Sequence, residues 1–195
     1  MREELEKALY EDFPELFKQH KWDATKTCMC WGCAVGDGWE PIIREMAEVL
    51  DRQGRNRFSA RTKGCEWLDG FKVKLHNICR KIERKLGIPY GKLYQVKYRS
   101  YVSFAGWHVQ LSQVKEKFGT LRVYYDIVTD YEEKDVKHLD QKDIEAIYNR
   151  FIGGVNMAIH IAERRSEKTC EVCGKPGELT PGGWIKCLCA NCVKR

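Results

Sequence analysis

Cys170-Glu171-Val172-Cys173, then fifteen residues, then Cys189-Ala190-Asn191-Cys192: this stretch decides how the chain ends. A Cys-x-x-Cys turn brings two sulfurs within reach of one ion, and two such turns complete a tetrahedron of four thiolates. All four positions are then filled by protein, so the spacing predicts a structural zinc ion and not a catalytic one. Leu179, Trp184 and Ile185 give the segment little apolar material of its own. Zinc binding worth roughly 10 kcal/mol or more in small modules can supply the folding energy that such a core lacks. Cys187 is a rival ligand that could replace Cys189 in a wider turn; the tighter Cys-x-x-Cys turn is preferred. The expected organisation is an α+β core domain over residues 1–165 followed by a zinc ribbon or knuckle over 166–195.

Upstream of the cysteines, Asp140 is placed to cap a long helix whose stripe is Ile144, Ile147, Tyr148, Phe151, Ile152, Val155, Ile159 and Ala162. Gly153-Gly154 inside it costs about 2 kcal/mol relative to alanine, which predicts a close approach of another backbone. Before that helix, 94–104, 107–115 and 121–127 show alternation with aromatic and β-branched residues, and Phe118-Gly119-Thr120 reads as a tight connection. An antiparallel meander of three strands is expected. From 66 to 86 the residues Leu68, Phe71, Leu75, Ile78, Ile82 and Leu86 recur at three or four, and Gly87 with Pro89 ends the helix. A further helix starts near Asp37, which with Glu40 resembles a capping box, and carries Trp39, Ile42, Ile43, Met46, Val49 and Leu50 on one face. A short amphipathic helix opens the chain, and 54–62 reads as a polar loop.

Hydrophobic residues make up 43% of the 195, which suits a globular chain more than a disordered one. No apolar run approaches the ~20 residues a bilayer requires, and Met1-Arg2-Glu3-Glu4 is unlike a basic, then apolar, export signal. A cytoplasmic protein with no membrane partner is expected, and with it metal-bound rather than disulfide-bonded cysteines. The net charge of +6 hides a segregation: Arg52 to Arg99 holds fourteen Lys or Arg against three acids, whereas acids dominate Asp126 to Glu145. Arg55, Arg57, Arg61 and Lys63, with Lys72, Arg80, Lys81 and Arg84 from the helix, are candidates for contacting a nucleic acid or an acidic partner. A solvated helix face with a charged loop explains the same letters.

Cys28, Cys30 and Cys33 form a second cluster, to which Cys65 or Cys79 could add a fourth ligand for a second zinc or an iron–sulfur centre. Cysteines packed as small hydrophobes are the simpler reading. The five histidines are scattered, and no metalloprotease helix, deaminase signature, nucleophile elbow, P-loop or dinucleotide fingerprint is present. Gly36-Asp37-Gly38-Trp39 could be a substrate loop with Asp37 as acid or base; a helix cap before a buried tryptophan is the plainer account.

Cys28-Met-Cys-Trp-Gly32, Gly36-Asp-Gly-Trp39, Val114-Lys-Glu-Lys-Phe-Gly-Thr-Leu-Arg122 and Thr169-Cys-Glu-Val-Cys-Gly-Lys-Pro-Gly177 with Trp184 resemble, as a set, a family of small tailed-phage and prophage proteins. The resemblance spans about Cys28 to Cys192. It implies a phage gene expressed in a bacterial cytoplasm and carries no established activity. With it, the expected function is a zinc-binding, non-enzymatic protein that binds and modulates a host macromolecule, a defence or transcription component. Direct nucleic-acid binding through the basic 52–99 region is the alternative, and an enzyme with a site near Asp37 and Cys28 to Cys33 a second one.

Overall fold

A computed structural model describes residues 1–63, 65–94, 101–180 and 182–194, with the backbone alone for 65–69. In chain order the elements are α1 (Glu3–Asp12), β1 (Cys33–Ala34), α2 (Glu40–Arg55), β2 (Arg57–Arg61), α3 (Cys65–Leu86), β3 (Tyr101–Ala105), β4 (Trp107–Lys117), β5 (Thr120–Thr129), α4 (Glu133–Val136), α5 (Gln141–Ser166), β6 (Glu178–Leu179), β7 (Cys187–Leu188) and α6 (Ala190–Val193). The class is α+β, as expected. Contacts divide the chain into two compact units: Met1–Asn56 with Gly106–Asp130 and Asn149–Arg195, and Arg57–Ala105 with Tyr131–Tyr148. The C-terminal element 166–195 therefore clusters with the first unit.

In the first unit β4 is the middle strand of a sheet ordered β1-β4-β5. β1 runs parallel to it, pairing Cys33 with Val114, and β5 returns antiparallel with Thr120 opposite Lys117. Val109, Leu111 and Val114 are buried, and an irregularity between Leu111 and Gln113 resets the alternation between them. Against β4 lies α2, with Ile42, Ile43, Met46 and Leu50 and the preceding Trp39 buried as its periodicity predicts, whereas Val49 of the same predicted face is 39% exposed and Ala47 is buried instead. Its start differs from expectation. Asp37 does not cap it, because its carboxylate accepts from the Arg2 backbone and side chain instead, and α2 begins without a side-chain cap. The glycines of α5 also differ from expectation: a Cβ at Gly154 would first meet the Gln53 side chain, at 2.6 Å, and one at Gly153 would meet nothing within 4 Å. Among the described residues a side chain, and not a backbone, comes nearest to Gly154.

The meander does not form. β3 pairs antiparallel with β2, Phe58 opposite Phe104 and Arg61 opposite Tyr101, so the supposed polar loop at 54–62 is partly a strand. Gly106 separates β3 from β4, and the two strands enter different sheets. Residues 95–100 of the expected strand lie outside the described residues. Asp140 caps α5 as expected, its carboxylate accepting from the Lys142 N–H at 3.0 Å. Next to it Asp143 receives Arg61 through Nε (2.8 Å), Nη2 (2.7 Å) and the backbone N–H (3.0 Å). The acidic and basic stretches of the sequence thus meet within the second unit.

The Arg61 guanidinium holds the Asp143 carboxyl below the usual carboxylate range. A depressed folded-state pKa stabilises the fold above the unfolded value, about 3.9 for Asp, and that contribution disappears as pH falls through the folded value. Asp143→Asn should therefore lower the urea midpoint at pH 7 and flatten its decline below about pH 4. An acid limb as steep in the variant as in the wild type would refute this role.

The helix expected from 66 to 86 forms as α3, and much of its apolar stripe lies outside the core. Ile78, Ile82 and Leu86 are 55%, 42% and 67% exposed, and Leu75 is half-buried. The side of the helix bearing His76, Arg80 and Glu83 is covered by the chain that follows: Glu83 accepts from the Gly91 and Leu93 N–H groups, and Tyr90 lies on His76 and under Arg80.

Candidate metal centre

The Sγ atoms of Cys170, Cys173, Cys189 and Cys192 all lie within 4.8 Å of one another, the one such metal-capable group among the described residues. Two similar turns assemble it. After Cys170 the chain folds so that the N–H groups of Val172 and Cys173 reach its sulfur, and Gly174, at φ +73°, donates its N–H to the Cys170 carbonyl. In the second turn the N–H groups of Asn191 and Cys192, at the start of α6, reach Cys189 Sγ. The β6–β7 hairpin joins the turns, pairing Glu178 with Leu188 and Leu179 with Cys187.

The donor set fits a tetrahedral ion. Zinc–sulfur bonds of about 2.3 Å imply sulfurs about 3.8 Å apart, and Cys173 Sγ lies 3.6 Å from Cys189 Sγ. The protonation pattern leans the same way. The Cys192 N–H lowers the Cys189 thiol to about 6, so it ionises readily. Burial raises the Cys170 thiol, but the N–H groups around its sulfur outweigh that and leave it lowered. The hydrogen bond to Cys189 pushes the Cys192 thiol up to about 12, because thiolates this close cannot all form without a cation among them. A metal such as zinc, held by Cys170, Cys173, Cys189 and Cys192, would supply that cation and fix the two turns.

Cys187 stands apart. It is buried, its Sγ donates to the Glu167 carbonyl, and burial raises its pKa. Nor do Cys28, Cys30 and Cys33 converge: Cys28 is exposed, Cys30 donates to the Thr27 carbonyl, and Cys33 is buried with its thiol pushed up to about 12. Burial is the largest cause there, so Cys33 packs as a small hydrophobe. Cys79 is half-buried, and the side chain of Cys65 lies outside the described residues.

What holds the metal element in place is a motif read for another purpose. Gly38 donates its N–H to the Glu171 carbonyl (2.7 Å), Gly36 donates to the Glu171 carboxylate (3.0 Å), and the Trp39 indole donates to the Thr169 carbonyl (2.7 Å). Trp39 is fully buried. Gly36-Asp-Gly-Trp39 is therefore the seat of the first cysteine turn, and Asp37, paired with Arg2, has its carboxyl held low by the Arg2 N–H. Two glycines bracketing one residue before a tryptophan were the available signal. Below the seat, Ser166 Oγ accepts from the Leu121 N–H and ties the end of α5 to β5.

The basic candidates divide. Arg55 pairs with Asp51, Arg57 bonds to Ser103, and Arg61 is committed to Asp143 and Asp140. Lys63 donates its backbone N–H to the His138 carbonyl. Arg80 lies over the Tyr90 ring at 4.0 Å, whereas Lys81 and Arg84 are exposed beside the α3 stripe and Lys72 is half-buried. No described helix is long and apolar enough to cross a membrane. Neither a family model, nor a curated protein, nor a solved structure matches this chain.

Proposed function

We propose that this is a zinc-stabilised, non-enzymatic binding protein of the tailed-phage type it resembles, acting in the bacterial cytoplasm, and that α3 is the element with which it holds and modulates a host protein. The carrying observation is the exposed apolar stripe Ile78, Ile82 and Leu86 on a helix whose neighbouring positions are Lys74, Lys81 and Lys85. Exposed apolar surface rimmed by charge marks an interaction site. Leu75, Ile78 and Ile82 keep the three-then-four spacing of a helix–helix seam, and Lys74 and Lys81 immediately precede two of its residues. A second copy packed along the same seam would bring lysines towards lysines. An amphipathic helix carrying Glu or Asp at its edges answers both the apolar and the charged parts. Nucleic acid would use the lysines and leave the stripe in water, and the commitment of Arg55 and Arg61 to internal carboxylates weighs against that alternative. The pairing of Asp37 with Arg2 supports a structural part for the Gly36–Trp39 loop.

Tagged protein with Ile78→Asp and Ile82→Asp should keep its circular dichroism and its metal, because both side chains are partly exposed and lie outside the core, and should lose a bacterial protein that the wild type captures after nuclease treatment. Capture abolished by nuclease, or equally strong with the double variant, would sink this reading.

A further inference from the structure

The β4–β5 hairpin turns through Phe118 and Gly119, at φ +55° and +74°. Two central residues with positive φ make the tight turn that favours Asn-Gly, and a phenylalanine there carries a left-handed backbone that its Cβ opposes. Phe118 gains no burial in return: it is 67% exposed. A second exposed ring stands beside it. Gly119 presses so closely on the β6–β7 hairpin that a Cβ would lie 2.7 Å from Leu179 and 3.2 Å from Ile185. This contact brings up the tip that carries Trp184, 77% exposed, and between the tips lies a groove of about 400 Å³ lined by Glu116, Lys117, Phe118, Gly183, Trp184 and Ile185.

The outward face of the hairpin continues the groove. Val114, Leu121 and Val123 point into the core, so Lys115 and Lys117 and their neighbour Tyr124 point out, while Arg122 on the same face is held by Glu163 and the Leu121 carbonyl. Lys115 lies over the Tyr124 ring and Lys117 over Phe118. Glu116, the acid of the groove, is engaged by the Gly119 N–H. Flat exposed rings alternating with cations match bases that stack and phosphates that need neutralising.

We infer that the Phe118–Trp184 groove, with Lys115 and Lys117 leading to it, is a binding site for single-stranded nucleic acid. This surface is separate from the α3 surface assigned above, and neither reading depends on the other. Phe118 keeps its unfavourable backbone because the turn presents its ring to a base. Duplex nucleic acid has its bases already stacked and offers the rings nothing.

The test uses the metal-loaded full chain and fluorescein-labelled twelve-nucleotide oligo-deoxythymidine, oligo-uridine and a duplex of equal length, followed by anisotropy. Single strands of one or both sugar types should bind more tightly than the duplex, with affinity falling as salt rises. Trp184→Ala should weaken binding about tenfold or more, and Lys117→Ala should reduce the salt slope by about 0.7. Phe118→Asn is the decisive variant. It suits the turn better, so it should raise the thermal midpoint by about 2–4 °C while weakening binding about tenfold or more, a loss that unfolding cannot explain. Ile78→Asp with Ile82→Asp should leave oligonucleotide affinity unchanged, which separates this site from α3. No binding by the wild type, equal affinity for the duplex or for an oligoglutamate peptide, or unchanged affinity in Phe118→Asn and Trp184→Ala would each overturn the inference.

Discussion

Cys170→Ser should take the protein from one zinc per chain to none and lower its thermal midpoint by about 10 °C. The size follows from what the four sulfurs hold together. Between the two turns runs only a hairpin of two-residue strands, β6 and β7, and the exposed Leu179 and Trp184 add little core. Loss of a metal belongs to the short list of changes that cost more than about 4 kcal/mol, and each kcal/mol shifts the midpoint of a chain this long by about 2–4 °C. The damage should reach beyond the ribbon, because Thr169 accepts the indole N–H of the buried Trp39, and the Glu171 carbonyl accepts from Gly38. Near-ultraviolet circular dichroism should therefore weaken along with zinc loss, and a chelator should reproduce the variant. Cys187→Ser is the matched control: its sulfur bonds to the Glu167 carbonyl outside the cluster, so zinc should stay at one per chain. Metal content unchanged by Cys170→Ser, or lost with Cys187→Ser, would refute the ligand set.

That cluster was legible in advance because its information is local. A Cys-x-x-Cys turn closes within four residues, and most of its N–H···S contacts come from inside it: Val172 and Cys173 to Cys170, Asn191 and Cys192 to Cys189, with the Cys189 N–H crossing to Cys170. The helices were legible for a similar reason: Ile42 to Leu50 in α2 and Phe151 to Ala162 in α5 bury the faces that their spacing marks. Periodicity says that a helix has an apolar side and nothing about what covers it, so the exposure of Ile78, Ile82 and Leu86 in α3 could not be read from their spacing. Strand pairing failed where the partner was distant. β3 finds β2 forty or more residues upstream, and the two-residue β1 carries no alternation to read. At Asp37 the local rule lost to a competitor, since Arg2 offers the carboxylate both a charge and an N–H. The role of Gly36 and Gly38 was hidden for the same physical reason: what forbids a side chain there is a backbone some 130 residues away in sequence.

Gly38→Ala should be among the most damaging single-methyl additions available in this chain. Its Cβ would sit 2.2 Å from the Cys170 carbonyl oxygen, 2.4 Å from the Gly174 nitrogen and 2.8 Å from the Cys173 nitrogen. All three are backbone atoms of the turn that aims Cys170 and Cys173 at the metal, so none can swing aside as a side chain would. Overpacking ordinarily costs about 1–3 kcal/mol through small shifts of neighbours. Here the relieving shift must separate the turn from its seat, which also breaks the Gly38 N–H bond to Glu171, so a loss of about 4 kcal/mol is expected. Zinc affinity should fall with it, because the metal binds the same turn that the added methyl displaces. Gly153→Ala provides the contrast: nothing lies within 4 Å of its Cβ, and it sits in the interior of α5, where alanine should add about 0.5–1 kcal/mol of stability. Urea midpoints and chelator competition on the two variants decide the matter. If Gly38→Ala unfolds with the wild-type midpoint and holds its zinc as tightly, the Gly36–Trp39 segment is not the seat of the metal element, and its two glycines need another explanation.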